Sequence, residues 1–347
     1  MMKTSVLVGL SGGLDSTFAA LFLIEAGYAV EGAVLRFSEH TDVSSAQKAA
    51  NDLGIRLHVI DCREDFKRFV TDTFVSEYLR GRTPNPCVVC NRYVKVKRLH
   101  DSAKELGLDK FATGHYCSVG YEDGRYFIRR AADLKKDQSY MLWGLSQEQL
   151  ADFLTPLAGV SKEYIRTYMS ERGFAQAESK ESQDICFVPD GDYARYITER
   201  VGVLPCGDFI DPSGKVLGKH KGIIHYTLGQ KKRLGIALGE KMTVSAINAD
   251  DNTVTLTRSE DYIPSGRIRL SDINFQYLTS LDCDKHTGLT VKLRYSAPPR
   301  DAVITKEREG VFATFEPLHP ESAPGQSAVF YIGDKLAFGS FIDSNEQ

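Results

Sequence analysis

The sequence predicts an α/β protein in which an N-terminal parallel sheet is followed by a small mixed domain and a C-terminal β-barrel. The chain has 347 residues, more than the roughly 100 to 200 that one domain usually contains. In its first half, apolar runs alternate with amphipathic stretches, a pattern typical of parallel strands joined by right-handed crossovers. From about Leu204 onward, short strands alternate with Gly and Asp turns at the spacing of a small β-barrel or sandwich. We expect domains over residues 1–200, 201–260 and 261–347.

Composition and charge exclude several classes of protein. Apolar residues make up 42% and charged residues 26% of the chain, which is ordinary for a soluble globular protein. No apolar run approaches the roughly 18 to 20 residues that span a bilayer, and the N-terminus lacks a signal-peptide pattern, so we expect a cytoplasmic protein without membrane contact. Seven cysteines, an odd number, favour reactive or metal-binding thiols over a disulfide framework. The net charge of −3 leaves any RNA binding to local basic patches.

A glycine loop between the first strand and the first helix is the first candidate site. The apolar residues 5–8 lead into the string Gly9-Leu10-Ser11-Gly12-Gly13-Leu14-Asp15-Ser16, and an amphipathic stretch follows. Its glycines let successive backbone N–H groups converge on an anion at the helix N-terminus, for which phosphate is the natural guest. Lysine is absent, so the Walker pattern does not fit. Asp15 can help to hold Mg²⁺, and Ser11 and Ser16 offer hydroxyls to phosphate; the alternative is a plain turn in which Asp and Ser cap the helix.

Further strands are predicted over residues 28–35, 55–61 and 110–114, and a hairpin over 117–130 turns at Asp123-Gly124. Ligands of parallel sheets bind beyond the carboxyl ends of the strands, where the glycine loop lies. Leu35 can therefore meet an adenine through its main chain, although its side chain is expected in the core. Gly114 can let the backbone approach a nucleotide. His115 can contact phosphate or substrate, although a histidine in a turn is usually structural.

Three cysteines lie in two polar segments. Pro84 and Pro86 bracket Asn85 and predict an exposed loop that carries Cys87 and Cys90 into a basic helix start. The basic residues of that helix start, Arg92, Lys95, Lys97 and Arg98, are otherwise a solvated helix face. A lone Cys-x-x-Cys suggests a redox pair, half of a zinc site or part of an iron–sulfur site, and zinc is disfavoured because no second ligand pair appears. Cys186 lies in a polar loop over 181–189 and by itself would be an ordinary buried thiol.

Basic segments form the remaining candidates. Lys135-Lys136-Asp137-Gln138 precedes a helical stretch and is either a small anion patch or a solvated helix entrance. The segments 219–222 and 226–235 place basic residues among Gly and Tyr, which suits a phosphate backbone, and a solvated loop accounts for them equally well.

Taken together, these motifs resemble the tRNA-uridine 2-sulfurtransferases, the MnmA or 2-thiouridylase family, over essentially the whole chain. The glycine loop itself is similar to the PP-loop of ATP pyrophosphatases, which belong to the adenine nucleotide alpha hydrolase-like fold. The shared strings are residues 9–16, Gly81-Arg82-Thr83-Pro84-Asn85-Pro86, Thr113-Gly114-His115-Tyr116, Lys136-Asp137-Gln138-Ser139-Tyr140, Ile185-Cys186-Phe187, Tyr226-Thr227-Leu228-Gly229-Gln230 and Pro324-Gly325-Gln326.

The resemblance implies an activity and a set of site residues. It implies ATP-dependent replacement of the wobble uridine's 2-oxygen by sulfur, with ATP and Mg²⁺ at residues 9–16, Leu35 and Gly114, and with tRNA and a sulfur-donor protein or relay as partners. Cys186 corresponds to the position that carries a persulfide, and Cys90 to the nucleophile that releases sulfide or forms a disulfide with Cys186. The target base is expected near Asn85, Pro86 and Cys87. Contacts to tRNA are implied at His115, Lys136, Asp137, Gln138, Arg294, Tyr295 and Gln326.

One position departs from the family's pattern. The residue at Cys87 is commonly Asp in this family, and a thiol has neither the charge nor the pKa of that carboxylate. With Cys90 and Cys186 it supplies three thiolates, enough for three irons of a 4Fe-4S cluster with the fourth left open for hydrosulfide. The sequence is therefore compatible with sulfur delivery from a cysteine persulfide and with sulfur delivery from a cluster-bound sulfide. A different PP-loop enzyme that adenylates a small molecule and a non-catalytic RNA-binding module are the other classes.

Overall fold

A computed structural model describes residues 3–178, 185–281, 285–316 and 322–346. Glu181 and Asp184, the carboxylates of the predicted Cys186 loop, lie outside these residues. The strands are β1 Ser5–Gly9, β2 Ala29–Arg36, β3 Leu57–Asp61, β4 Lys110–Ala112, β5 Cys117–Glu122, β6 Arg125–Arg130, β7 Phe153–Leu154, β8 Gly207–Ile210, β9 Val216–His220, β10 Met242–Asn248, β11 Thr253–Arg258, β12 Arg267–Phe275, β13 Lys285–Lys292, β14 Arg300–Glu307, β15 Gly310–Phe315, β16 Ser327–Ile332 and β17 Lys335–Glu346.

Helices are concentrated in the first two hundred residues. The α-helices are α1 Leu14–Glu25, α2 Val43–Leu53, α3 Arg63–Asp65, α4 Asp72–Leu79, α5 Pro86–Cys90, α6 Val96–Glu105, α7 Gln147–Asp152, α8 Lys162–Glu171 and α9 Tyr193–Val201. Two π-helical segments, Phe66–Thr71 and Asn91–Lys95, join α3 to α4 and α5 to α6, and 3₁₀ turns occupy Ser139–Leu142, Ala175–Glu178 and Ile223–His225. None of the described helices combines the length and apolar character that a membrane-spanning segment needs.

The N-terminal sheet is parallel throughout, in the order β3-β2-β1-β4-β7. Successive residues of β1 point to opposite faces, so Leu7 joins the core that includes α6, whereas Val6 and Val8 join the core formed with α1, α2 and α8. All three side chains are fully buried, as expected for a strand covered by helices on both faces. The strand order reverses between β1 and β4, which makes their carboxyl ends the natural ligand crevice of the sheet. The predicted α/β class is confirmed.

The second sheet is small and mixed. Its order is β10-β11-β8-β9, in which β8 runs parallel to β11 and the other pairs are antiparallel. Phe209, Val244, Val254 and Leu256 are fully buried in its core.

The C-terminal strands close into a barrel rather than a sandwich. The order is β12-β15-β14-β13-β16-β17, and β17 pairs back to β12. Closure removes the open edges that an antiparallel sheet would otherwise expose. The predicted hairpin, β5 and β6, is present but extends this barrel sheet, because Lys335 of β17 pairs with Arg129 of β6. Local sequence patterns contain no information about a pairing between strands two hundred residues apart.

The prediction that Cys87 and Cys90 lie on an exposed loop is wrong, since both belong to α5. Asn85 is the N-cap of this helix, and its side chain accepts a hydrogen bond from the Val88 N–H. Pro86 occupies the first helical turn, where a missing N–H costs nothing and the fixed φ favours the helix. The Pro-Asn-Pro string therefore starts a helix, and the thiols three residues apart lie on neighbouring parts of its surface.

Candidate nucleotide and thiol site

A cavity of about 870 Å³ lies beyond the carboxyl ends of β1 and β4. It brings together the glycine loop, the cysteine helix α5 and the segment that carries Cys186. Its lining includes the following predicted residues: Ser11, Gly13, Leu14, Asp15, Ser16, Pro86, Cys87, Cys90, His115, Lys136, Gln138, Cys186 and Tyr295. Residues far apart in the sequence thus surround a single space.

The glycine loop presents an uncapped helix N-terminus to this cavity. Gly13 is the N-cap of α1 and supplies no side-chain cap, so the first amides of the helix have no intrahelical acceptor and can bind an anion. The Ser11 N–H donates to Ser16 Oγ at 3.2 Å, and Ser16 Oγ donates to the Gly13 carbonyl at 3.1 Å. The alternative in which Asp15 and Ser16 cap the helix does not hold, because these residues follow its first residue.

Two glycines are required for the close approach of backbone segments around the loop. Gly12 has φ of +79°, and an added Cβ would lie 2.5 Å from the Ser45 carbonyl carbon. Gly114 follows β4, and an added Cβ there would lie 2.9 Å from the backbone of Asp15. The predicted nucleotide residues Gly9, Leu10 and Leu35 instead form the packed wall behind the loop: Leu10 and Leu35 are buried, and a Cβ on Gly9 would meet Leu99 at 2.9 Å. A main-chain contact between Leu35 and adenine remains a prediction.

Asp15 has two partners that sequence reasoning missed. Lys162 Nζ donates to both carboxylate oxygens, at 2.6 and 2.7 Å, and the Tyr116 hydroxyl donates to Oδ1 at 2.7 Å. Lys162 is the first residue of α8, behind the N-cap Ser161. A lysine at a helix start carries no local signal that it will reach a loop almost 150 residues away.

Asp15 fits the predicted role in Mg²⁺ binding. It contributes the only carboxylate among the described residues that line the cavity. Mg²⁺ that accompanies a nucleotide is usually held by one or two carboxylates together with phosphate oxygens and water.

The three thiols are free and face the cavity. Cys87 and Cys186 are exposed and Cys90 is half-buried. Loss of hydration nevertheless raises the pKa of all three thiols, and that of Cys90 reaches about 12. Each thiol therefore stays protonated near neutral pH, and a nucleophilic role requires a neighbouring positive charge or a bound substrate to favour the thiolate.

Lys95 supplies such a positive charge. It lines the cavity at the end of the π-helical segment Asn91–Lys95, and its charge lowers the pKa of the Cys87, Cys90 and Cys186 thiols, opposing the larger effect of burial. Its backbone N–H also stabilises the thiolate of Cys90. Sequence reasoning assigned this lysine to a solvated helix face; the π-helical turn, a feature often found at functional sites, gives no signal in the sequence.

His115 is a buried, neutral side chain at the edge of the cavity. Its Nδ1 lies 2.7 Å from the Thr113 hydroxyl, and burial, assisted by Lys95, holds its pKa well below the usual range. A neutral imidazole with Nδ1 engaged presents Nε2 to a ligand as a hydrogen-bonding group rather than as a cation.

The described residues contain no group of three or more His, Cys, Asp or Glu side chains placed to hold a metal ion. The three thiols line one cavity. Each thiolate ligand of a 4Fe-4S cluster binds a different iron, so a search for single-ion sites does not test the cluster, which stays a prediction.

Four predicted RNA or substrate contacts lie outside the cavity lining. Asp137 is buried and accepts hydrogen bonds from the Ala131 and Ser139 N–H groups while it pairs with Arg130. In this conformation its carboxylate has no surface to offer to RNA and instead holds the loop 131–139 in shape. Asn85 caps α5, and Arg294 is half-buried beside Tyr295.

The fourth, Gln326, joins the barrel to the cysteine helix. Its side-chain N–H donates to the Thr83 carbonyl at 2.7 Å, and the Thr83 N–H donates to the Pro324 carbonyl at 2.8 Å. The Thr83 hydroxyl also lies 3.4 Å from that of Thr227, which precedes β10 in the middle region. Segments from the N-terminal, middle and C-terminal regions thus meet immediately before α5.

A second cavity of about 650 Å³ lies in the middle region. Its lining is strongly basic and consists of Tyr193, Lys221, His225, Gly229, Gln230, Lys231, Lys232 and Arg233. The fold therefore places parts of both predicted basic segments, residues 219–222 and 226–235, around one cavity.

The fold and the cavity define a PP-loop nucleotide-binding protein that carries free thiols and two β-rich domains. The family models that match are described as a tRNA methyl transferase HUP domain over residues 4–190, a tRNA methyl transferase PRC-barrel domain over 194–258 and an aminomethyltransferase beta-barrel domain over 265–342. Named relatives are similar along their full length. The tRNA-specific 2-thiouridylase MnmA of Acetivibrio thermocellus is 41% identical over 99% of this chain and 100% of its own. That of Carboxydothermus hydrogenoformans is 39% identical over 98% of both chains. The chain belongs to the tRNA-specific 2-thiouridylase family.

Part of the chain is also similar to solved structures. A U34-tRNA thiolase NcsA from Methanococcus maripaludis with its 4Fe-4S cluster is 18% identical, with a TM-score of 0.35, over 57% of this chain and 68% of its own. This likeness is too remote to bear on the cysteines.

Proposed function

We propose that this protein is a tRNA-uridine 2-sulfurtransferase, which replaces the C2 oxygen of the wobble uridine by sulfur at the expense of ATP, in the cytoplasm. The observation that supports this most strongly is the single cavity that holds both an uncapped phosphate-binding helix N-terminus and three free cysteines. An enzyme that only adenylates a small molecule has no need of these thiols.

The first half of the proposed reaction is adenylation. The C2 oxygen of uridine is a poor leaving group, and its attack on the α-phosphate of ATP converts it into AMP with release of pyrophosphate. The amides at the start of α1 can neutralise charge on the pyrophosphate. Asp15 would hold Mg²⁺, which would supply further positive charge there. The described residues that line the cavity include four lysines, Lys95, Lys135, Lys136 and Lys162, and one carboxylate, that of Asp15. These lysines supply the positive charge that a triphosphate and an RNA strand both require.

The second half is sulfur transfer. A sulfur donor leaves a persulfide on Cys186, and the terminal sulfur of this persulfide bonds to C2 as AMP departs. The Cys90 thiolate attacks the inner sulfur, so the persulfide S–S bond breaks and a Cys90–Cys186 disulfide forms, which an external thiol reduces before the next turnover. The exposed position of Cys186 suits its loading by a partner. Lys95 favours the thiolate that this scheme requires of Cys90.

Recognition of tRNA is assigned to two basic surfaces. Lys135, Lys136 and Tyr295 border the reaction cavity, where a flipped base can stack on the exposed tyrosine. The basic cavity of the middle region offers a second contact with the phosphate backbone.

Replacement of single cysteines tests the proposal. The Cys90→Ser and Cys186→Ser variants should abolish 2-thiouridine at the wobble position, measured by mass spectrometry of tRNA from cells that lack any other source of this modification. Cys206→Ser is the matched control, because Cys206 is also exposed but does not line the reaction cavity. Full modification by the Cys90 and Cys186 variants would refute the sulfur-transfer scheme.

Two further measurements separate the alternatives. ATP–pyrophosphate exchange that proceeds with a small metabolite and without tRNA would favour another PP-loop enzyme. Stoichiometric iron and sulfide in anaerobically purified protein, required for activity, would replace the persulfide route by a cluster route.

A further inference from the structure

The Cys87 thiol has no chemical role in the proposed reaction, although it lies in the same cavity. Sulfur transfer as proposed uses two thiols, those of Cys90 and Cys186. The described residues that line the cavity include three free cysteines, and Cys87 is the third. It is exposed, whereas Cys90 is half-buried. A free thiol beside two others that form a disulfide can take part in thiol–disulfide exchange.

The position of Cys87 in the chain suits a disulfide with Cys90. Both residues belong to α5, Pro86–Cys90, and only Val88 and Val89 separate them. Residues three apart in a helix are neighbours on its surface, with Cβ atoms about 5–6 Å apart. A disulfide needs Cβ atoms about 3.5–4.5 Å apart. A local shift of about 1–2 Å within one helical turn therefore allows the bond to form.

Cys87 also lies close to Cys186. Burial has the largest effect on the Cys87 thiol and raises its pKa, and Cys186 raises that pKa further because two thiolates repel each other. The effect of Cys186 exceeds the opposing effect of Lys95, which lines the same cavity. Because such charge effects weaken with distance, the two thiols are near neighbours. A disulfide that includes Cys186 therefore forms within reach of Cys87.

The exchange that this arrangement allows consumes no oxidant. The Cys87 thiolate attacks Sγ of Cys90 in the Cys90–Cys186 disulfide. The Cys87–Cys90 bond forms, the Cys90–Cys186 bond breaks, and the electron pair leaves with Cys186 as a thiolate. The proton that Cys87 gives up to solvent is balanced by the one that Cys186 takes up. One disulfide thus replaces another without net oxidation or reduction.

We propose that Cys87 is the resolving cysteine of this protein, which moves the disulfide from Cys90–Cys186 to Cys87–Cys90 after each sulfur transfer. This inference rests on the proposed persulfide route. The exchange frees Cys186 to accept the next sulfur while Cys90 is still oxidised. It also places the disulfide on the exposed Cys87, where an external dithiol can attack it. That dithiol supplies two electrons, becomes a disulfide itself and returns Cys87 and Cys90 to thiols.

The test is the position of the disulfide after one turnover. Reduced protein is treated with inorganic polysulfide to form the persulfide, freed of excess reagent, and mixed with Mg·ATP and tRNA without reductant. Acid quenching, alkylation and peptide mass spectrometry then locate the disulfide. In the wild type we expect Cys87–Cys90 with a free Cys186, and in Cys87→Ser we expect Cys90–Cys186. The matched control, Cys206→Ser, removes an exposed thiol outside the cavity and should give the wild-type result.

The outcomes distinguish this inference from the proposed function. Wild-type protein in which the Cys90–Cys186 disulfide predominates would overturn the inference and leave the proposed sulfur transfer intact. A Cys87–Cys90 disulfide that is equally abundant when ATP is omitted would also overturn it, because polysulfide alone would then have formed the bond. The wild-type result decides even if Cys87→Ser forms no 2-thiouridine. Formation of 2-thiouridine without a disulfide among the three cysteines would overturn the proposed persulfide route itself.

Discussion

Replacement of Gly12 by alanine should disrupt the glycine loop much more than the same change at Gly13. Gly12 has φ of +79°, and a Cβ there would lie 2.5 and 2.6 Å from the carbonyl carbon and oxygen of Ser45. The left-handed conformation costs an alanine about 1–2 kcal/mol. The contact adds about 1–3 kcal/mol, because it is with backbone atoms that no rotamer change can move. The sum, about 2–5 kcal/mol, is a large fraction of the stability of a domain.

Gly13 provides the matched control. It has φ of −83° and ψ of 167°, which any residue can adopt, and an added Cβ would meet only Ser11 Oγ at an ordinary 3.5 Å. Alanine is less favourable than glycine at an N-cap by no more than about 1 kcal/mol. Gly13→Ala should therefore remain folded.

Thermal unfolding with and without Mg·ATP measures both effects. A chain with several sheets does not guarantee a single two-state transition, so the informative quantity is the ATP-dependent rise in Tm. We expect Gly12→Ala to lower the Tm and to lose most of that rise, and Gly13→Ala to retain both within a few degrees. Equal losses in the two variants would refute the steric argument, and an undiminished ATP-dependent rise in a destabilised Gly12→Ala would refute the assignment of this loop to nucleotide binding.

The remaining predictions concern the thiols and the contact between domains. With a pKa of about 12, Cys90 is about one part in a thousand thiolate at pH 9, so its alkylation by iodoacetamide should accelerate about tenfold per pH unit up to that pKa. Lys95→Met removes a charge that lowers this pKa, so the variant should reach a given rate of Cys90 alkylation only at a higher pH. Mass spectrometry of the alkylated protein measures this rate. An unchanged dependence of the rate on pH would contradict the role of Lys95. Gly325→Ala should destabilise the protein by about 2 kcal/mol, because Gly325 has φ of +90° and its Cβ would lie 3.2 Å from the Thr83 carbonyl. Gly333→Ala is the control, because Gly333 has φ of +62° but open space around it, so this variant has only the conformational cost. Urea unfolding measures both variants. Equal losses of unfolding free energy would exclude a steric effect at Gly325.

Much of the fold follows from local patterns. The apolar run of β1, the glycines after it and the amphipathic α1 are adjacent in the chain, so their strand–loop–helix geometry depends on side chains within a few residues of each other. The hairpin turn at Asp123-Gly124 is equally local, and both residues have positive φ as such turns require. The same local reasoning failed at Asn85-Pro86, because proline breaks a helix in its interior but favours it at its first residue.

The composition of the site was also predictable, whereas its contacts were not. Residue type alone predicted that Cys87, Cys90 and Cys186 and the glycine loop belong to a site, and the structure places them around one cavity. Lys95 and Lys162 were not distinguished from the other lysines of the chain, since lysine is common on solvated helix faces.

The sequence by itself determined the order of strands and helices, the glycine loop and the supply of thiols, since each depends on residues close together along the chain. Only the tertiary structure decided that Lys162 reaches Asp15, that Lys95 shares a cavity with three cysteines, and that β6 extends the sheet of a barrel formed at the other end of the chain. These contacts depend on how sheets pack and close, and the free energy of that packing comes from side chains that local patterns do not relate to one another.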